Sequence, residues 1–539
     1  MAITRITGVT SGIDWQETIS LLMQIESQPV VALEERKGVY EDKLSAWQEI
    51  NTKLLTLKST MEEMDTLGEM LVKAATSSDT NVLTAAANSD AAVGSYSVLV
   101  NQLALSHKLT HGGFTDLNTT PVTTTSEVFA YTYGGVDYSV NVNANTTLSG
   151  LAAAINNDIN NPGVTATILN DGGTSNAYHL VLTGETGATN TIAINDTLTT
   201  LTNFETANFS TTQTAQDAQI RVDGYPSGSW ILSATNEVTG VIAGVTLNLK
   251  TTSATAETVT ITNDMDAAKE QIEAFVNAYN EVVSLINLKT LYDTEEETAG
   301  ILFGDSSVIG IKGSLQSIIA STVPGLLDNA VYKSLSEIGV KSGSGGLLSI
   351  DDSKLSDALE DNFDAVGKLF SFSSTSNSNN LTYFTRSSET QGGVYTVVAN
   401  YDASGLLTSA TINGNTALLD GNYVIGASGN PEEGLWIAFA APSGGSPGSV
   451  TAEVRVATGS AVQIANKVSY LTDSTDGTVH NAQEGIQDSI DDLDDQITTW
   501  GSRLAATQEQ LERDYLTMEI MLFQLQNQSS YLGSLLSSL

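Results

Sequence analysis

The chain has 539 residues, with 62 acidic against 22 basic side chains for a formal charge of −40, and it contains no cysteine. Such a surface repels phosphate backbones and anionic membranes and argues against nucleic acid or lipid as a partner. Missing thiols exclude disulfides, thiol catalysis and cysteine-ligated metals, and suit a protein that crosses compartments unfolded and must not cross-link on the way. The length calls for three or four domains. The start, Met1-Ala2-Ile3-Thr4-Arg5-Ile6-Thr7-Gly8, lacks the apolar core of a cleavable signal peptide, and no apolar run approaches membrane-spanning length. Those two features predict a chain that stays in the cytoplasm or leaves it without a cleaved signal.

In chain order, residues 1–12 read as flexible. Asp14-Trp15-Gln16-Glu17 reads as a capping box that opens a short helix through Ile19, Leu22, Met23 and Ile25. Pro29 should break that helix and sit in the first turn of the next, which should run to about Leu71. From about Thr76 the texture turns to Thr, Asn, Gly and Ser with short alternating strands. Tyr131 and Val142 bracket one such pattern with Gly134-Gly135 as its hairpin turn, and Leu151-Ala152-Ala153-Ala154-Ile155 is a short helix. Helix returns at 264–291, 306–319 and 354–370, followed by a second β-rich stretch at about 371–459 and a final helical stretch over about 460–535.

Every seventh residue over 490–532 is apolar: Ile490, Ile497, Leu504, Leu511, Met518, Leu525 and Leu532. A second stripe runs through Leu33, Tyr40, Trp47, Leu54 and Met61, with Ile50, Leu57, Met64 and Leu71 interleaved. Unbroken heptads mark helices that need a partner along one face. The partner is a core stripe within the chain, a seam with another chain, or both. Thr507 and Asp514 interrupt the companion stripe of Ile486, Leu493 and Trp500, so strict coiled-coil packing should not extend over the whole length. The expected fold is multidomain α+β: long antiparallel terminal helices forming a coiled-coil-like stalk, plus a helical middle domain, carrying β-rich head domains as insertions.

Catalysis has little material. His107 and His111 are four apart, but no glutamate follows His107 as a zinc-protease helix requires, and they are expected to be ordinary surface histidines. Gly444-Gly445-Ser446-Pro447-Gly448 matches a nucleophile-elbow string, yet proline after the serine has no N–H for an oxyanion hole. Asp488, Asp491, Asp492, Asp494 and Asp495 lack the pattern of a calcium loop and read as a solvated face near a helix start. No catalytic, cofactor or metal residue is expected.

Several strings together resemble the bacterial flagellar filament-capping family, the flagellar hook-associated proteins of type 2. They include Gly8, Ser11-Gly12, Asp14, Leu22-Met23, Pro29, Trp47 and Ile50-Asn51, then Gly94-Ser95-Tyr96 and Gln102-Leu103-Ala104. They continue through Val222-Asp223-Gly224, Gly240-Val241-Ile242-Ala243-Gly244-Val245, Phe275-Val276-Asn277-Ala278-Tyr279-Asn280 and Gln528-Ser529-Ser530-Tyr531-Leu532. The stretch around residues 138–182 is similar to a small β module shared by flagellin-type and hook-associated proteins.

The resemblance implies leg helices at 1–44 and 501–539, and a helical stalk domain at 45–76, 263–370 and 460–500. It implies a β-rich head at 77–112 and 213–262 and a second head at 113–212, leaving 371–459 as an extra β insertion outside the common pattern. The legs should pack through Leu22, Met23, Leu33, Trp47, Leu54, Leu504, Leu511, Met518 and Leu525. It further implies a non-enzymatic, ring-shaped homo-oligomer, commonly a pentamer, at the distal filament tip. Its partners would be flagellin, the flagellar type III export apparatus and an export chaperone on the C-terminal helix. Rival expectations are an adhesin whose head binds surface glycans, or another filament or junction component.

Overall fold

The computed structural model describes residue 12 and residues 14–537; of the stretch expected to be flexible, residues 1–12, only Gly12 falls among them. The chain divides into two compact units, one of Met1–Met70 with Lys269–Leu539 and one of Leu71–Ala268.

In the first unit, Asp14 caps α1 (Trp15–Glu26) by accepting the backbone N–H groups of Gln16 and Glu17 at 3.0 and 3.1 Å. The chain turns at Ser27, and α2 (Gln28–Glu62) begins with Pro29 in its first turn, where a missing N–H costs nothing. α2 stops at Glu62, short of the expected Leu71, and α3 (Leu67–Met70) is a separate turn of helix. α5 (Met265–Thr290), which follows the β-rich unit and its helix α4 (Leu148–Asn156), has a buried face of Ile272, Phe275, Tyr279, Val282, Val283 and Ile286. That spacing is the 3.6-residue period of a helix with one side in a core. α6 (Ser306–Ala320), α7 (Asp352–Phe370) and α8 (Ser460–Leu471) complete the bundle, and α9 (Thr478–Ser537) is 60 residues long. α2 packs along both α8 and α9, and α1 along α9.

Between α7 and α8 the chain forms two antiparallel sheets. One is five-stranded, with Gly448–Thr458 between Phe372–Ser376 and Gly393–Tyr401; the other is four-stranded and centred on Trp436–Phe439 and Tyr423–Ile425. Tyr395, Val397, Val424, Ile437 and Val454 fill the space between them. This β domain is latched to the helices at its root. Ser371 Oγ donates to the Met64 carbonyl at 2.8 Å, Phe372 N to the Asp65 carbonyl at 2.7 Å, and Gly459 N to the Ser371 carbonyl at 3.1 Å. Of the nucleophile-elbow string, residues 444–447 lie in a turn-rich loop after the strand Trp436–Phe439, and Gly448 opens the strand Gly448–Thr458.

The second unit holds a five-stranded and a three-stranded sheet around Val98, Val100, Ile220, Val245, Leu247, Val259 and Ile261. A further module has a four-stranded sheet containing Ser106–His111 and Tyr178–Thr186 and a three-stranded sheet of Val136–Val142, Glu127–Tyr133 and Ile192–Ile194. Its core joins Phe129, Tyr131, Phe204, Leu180 and Leu182 to Leu148, Leu151 and Ile155 of α4. The hairpin turn falls at Gly134-Gly135 as expected, both with positive φ (56° and 85°), which two-residue hairpins favour in glycine.

Candidate assembly interface

Trp15 on α1 stacks on Tyr515 at 4.6 Å between ring centroids, and its indole N–H donates to Glu519 Oε1 at 2.7 Å. Farther along, Lys37 on α2 meets Asp494 with Nζ at 2.6 and 2.8 Å from the two carboxylate oxygens. Partner positions on α9 fall as positions on α1 and α2 rise, so the terminal helices run antiparallel. The Asp494 carboxylate, hydrogen-bonded to Lys37, raises the lysine's pKa above its ordinary value. Both groups are partly solvated, so the pair sets register more than it stabilises.

The heptad stripe on α9 changes character along its length. Ile490 is buried, as is Leu493 of the companion stripe, and Ile497, Leu504 and Leu511 are half-buried. Met518 is 36% exposed, Leu525 61% and Leu532 58%. Beyond Glu519, where α1 begins alongside, Ile520, Met521, Phe523, Tyr531 and Leu536 are also exposed. These apolar side chains spread around more than half of the helix, a pattern that normally belongs inside a core or against another chain.

The nine leg residues read from the sequence therefore occupy three settings. Trp47 and Leu54 are fully buried with Ala46, Ile50, Leu57 and Met61 in the interior of α2. Met23, Leu33, Leu504 and Leu511 are half-buried along the helix pair. Leu22, Met518 and Leu525 are exposed. Sequence reasoning missed Trp15, Tyr515 and Glu519, which close the pair near its end. It also missed Ile520, Met521 and Phe523, whose signal was available as apolar residues off the heptad positions.

Two expectations are corrected. His107 and His111 are buried, not on the surface, because the strand Ser106–His111 faces both rings into the module. In the acidic cluster Asp488, Asp491, Asp492 and Asp495 are exposed while Asp494 is half-buried against Lys37, and the cluster is not near the helix start: α9 begins at Thr478, about three turns earlier, beyond the reach of its terminal dipole. Among the described residues no group of three or more His, Cys, Asp or Glu is placed to hold a metal. No described helix is long and apolar enough to cross a membrane.

Residues 129–186, within the second unit's histidine-bearing module, match the flagellin hook IN motif. With paired helical ends and β modules between them, the chain falls in the class of flagellar structural proteins. Residues 11–107 match the profile of the flagellar hook-associated protein 2 N-terminus and residues 215–527 that of its C-terminus. The chain belongs to the flagellar hook-associated protein 2 family. It is 30% identical to the lateral flagellar hook-associated protein 2 of Vibrio parahaemolyticus over 374 residues, 67% of this chain and 82% of that protein. It is 28% identical to the A-type flagellar hook-associated protein 2 of Pseudomonas aeruginosa over 395 residues, 68% of this chain and 80% of that protein. The crystal structure of the D1-D2-D3 domains of the Escherichia coli flagellar cap protein FliD aligns with a TM-score of 0.49 and 28% identity, covering 60% of this chain and 89% of that one.

Proposed function

We propose that this protein is a structural cap at the distal tip of the bacterial flagellar filament, where it retains exported flagellin and promotes its folding and insertion as the filament elongates. Family membership supports a flagellar, non-catalytic role. The observation that carries the docking reading is the apolar end of α9: Met518, Ile520, Met521, Phe523, Leu525 and Leu532 are left in water. Each contributes on the order of 1.5–3 kcal/mol if fully sequestered by a partner. In this reading the terminal helices are legs that dock on the filament end and on neighbouring copies in a homo-oligomeric ring, a pentamer being the expected count. The excess of acidic over basic residues keeps free subunits apart until that apolar gain overrides it. Delivery is by the flagellar type III export apparatus, with an export chaperone covering the C-terminal helix beforehand.

The test is genetic complementation with Leu511→Asp and Met518→Asp. Both variants should fold, because neither position is fully buried. Cells carrying either should shed flagellin into the medium and bear short filaments or none. Filaments of normal length with both variants would overturn the leg assignment.

A further inference from the structure

The strand Ser106–His111 carries two of the chain's four histidines, and both are buried. His111 Nδ1 accepts the Gly113 backbone N–H at 3.0 Å, while Nε2 lies 2.8 Å from the Asn203 carbonyl oxygen, which can only accept. One ring meets both demands only as the neutral tautomer protonated on Nε2. The ring sits among Phe114, Phe204 and Phe209, with centroids 4.6, 4.9 and 5.0 Å away. His107 repeats the device: its Nδ1 accepts the Ile192 backbone N–H at 3.1 Å, where the edge strand Ile192–Ile194 begins. A proton on either Nδ1 replaces an acceptor with a donor and sets two N–H groups face to face.

The charged and titratable groups that face His111 are few. His179, on the adjacent strand, has Nδ1 2.9 Å from the His111 carbonyl oxygen and Nε2 3.2 Å from Asp171 Oδ2. Glu205 approaches from the segment before Phe209.

We propose that this β module is an acid-labile element, ordered while His107 and His111 are neutral and opening when its surroundings acidify enough to protonate them. Burial pushes both imidazoles below their ordinary value. At His111 the His179 ring adds to that depression, and the Asn203 carbonyl and Glu205 only partly oppose it. A histidine depressed in the folded state contributes stability that is complete above its unfolded value, near 6.5. That stability drains away as pH falls from there toward the folded value, by at most about tenfold in the folding constant per pH unit and per histidine. The property is independent of the capping role.

Hydrogen exchange of the full chain at about pH 7.5 and about pH 5, normalised for intrinsic rates, tests it. The strands Ser106–His111 and Ile192–Ile194 should lose about tenfold or more of their protection at the lower pH. Gly393–Tyr401 and Gly448–Thr458, in a domain without histidine, should keep theirs. Unchanged protection in the module, or equal loss in both places, overturns the proposal. His111→Gln should lessen the module's pH response, with His107 carrying what remains. Should that variant fail to fold, nitrogen NMR of the four histidines in the unchanged protein decides: His111 must stay neutral, protonated on Nε2, where a free imidazole has already titrated. A His111 that titrates in the folded chain at the ordinary histidine value refutes the idea.

Discussion

Trp15 and Glu519 are 504 residues apart in the chain and joined by a 2.7 Å hydrogen bond from the indole N–H to the carboxylate. Glu519 is buried although its neighbours Met518 and Ile520 are exposed, because the helix turns that one face toward α1. The bond closes the antiparallel pair at the last point where α1 accompanies α9. Glu519→Ala leaves the indole N–H without that acceptor, a loss of about 1–3 kcal/mol. It should raise hydrogen exchange in Trp15–Glu26 without touching the β domains, and Trp15 fluorescence should shift toward that of a solvated indole. Unaltered exchange in α1 would show that stacking on Tyr515 suffices.

Trp47 tests the other end of the stripe. It is fully buried, and its indole N–H has no hydrogen-bond partner among the described residues. Trp47→Ala should cost about 3–5 kcal/mol in denaturant unfolding of the helical unit. Trp47→Phe should cost distinctly less, since it removes an unsatisfied donor along with some volume. Leu525→Ala, at an exposed site, should change the monomer's stability by less than about 0.5 kcal/mol.

The β domain after α7 enters and leaves at one point, Ser371 and Gly459 being joined by a 3.1 Å backbone hydrogen bond. A short linker replacing residues 372–458 should therefore leave α7 and α8 folded, as read by circular dichroism and exchange protection of α8. In the capping reading, cells with this deletion still grow filaments. If the domain adds adhesion to surface glycans, binding is lost while filament growth continues.

Gly459 itself should not tolerate a side chain. A Cβ there would lie 2.1 Å from the Phe370 carbonyl carbon and 2.2 Å from its oxygen, both backbone atoms that cannot swing away. Gly459→Ala should destabilise the helical unit by about 1–3 kcal/mol, and more if the latch at Ser371 opens. A wild-type melting temperature would count against the tight passage.

The helices were legible because their signals are local. Asp14 caps, Pro29 opens a first turn, and the 3.6-residue apolar period of α5 needs no knowledge of its neighbours. Gly134-Gly135 marked its hairpin because a two-residue turn demands positive φ from those residues alone. The histidines were misread because alternation along a strand does not say which face has a core behind it. His107 and His111 are polar side chains placed inward, with hydrogen bonds met by Ile192 and Asn203 from distant parts of the chain and by the nearby Gly113.

The amino-acid sequence by itself determined that two heptad-patterned ends would be helices in need of apolar cover, since periodicity is a property of the chain alone. Only the tertiary structure decided which parts of each stripe received that cover. Trp47 and Leu54 lie inside the helical bundle, whereas Leu525 and Leu532, past the point where α1 begins, remain exposed. Burial depends on what stands opposite a side chain, and identical leucines seven residues apart carry no record of where their neighbour starts.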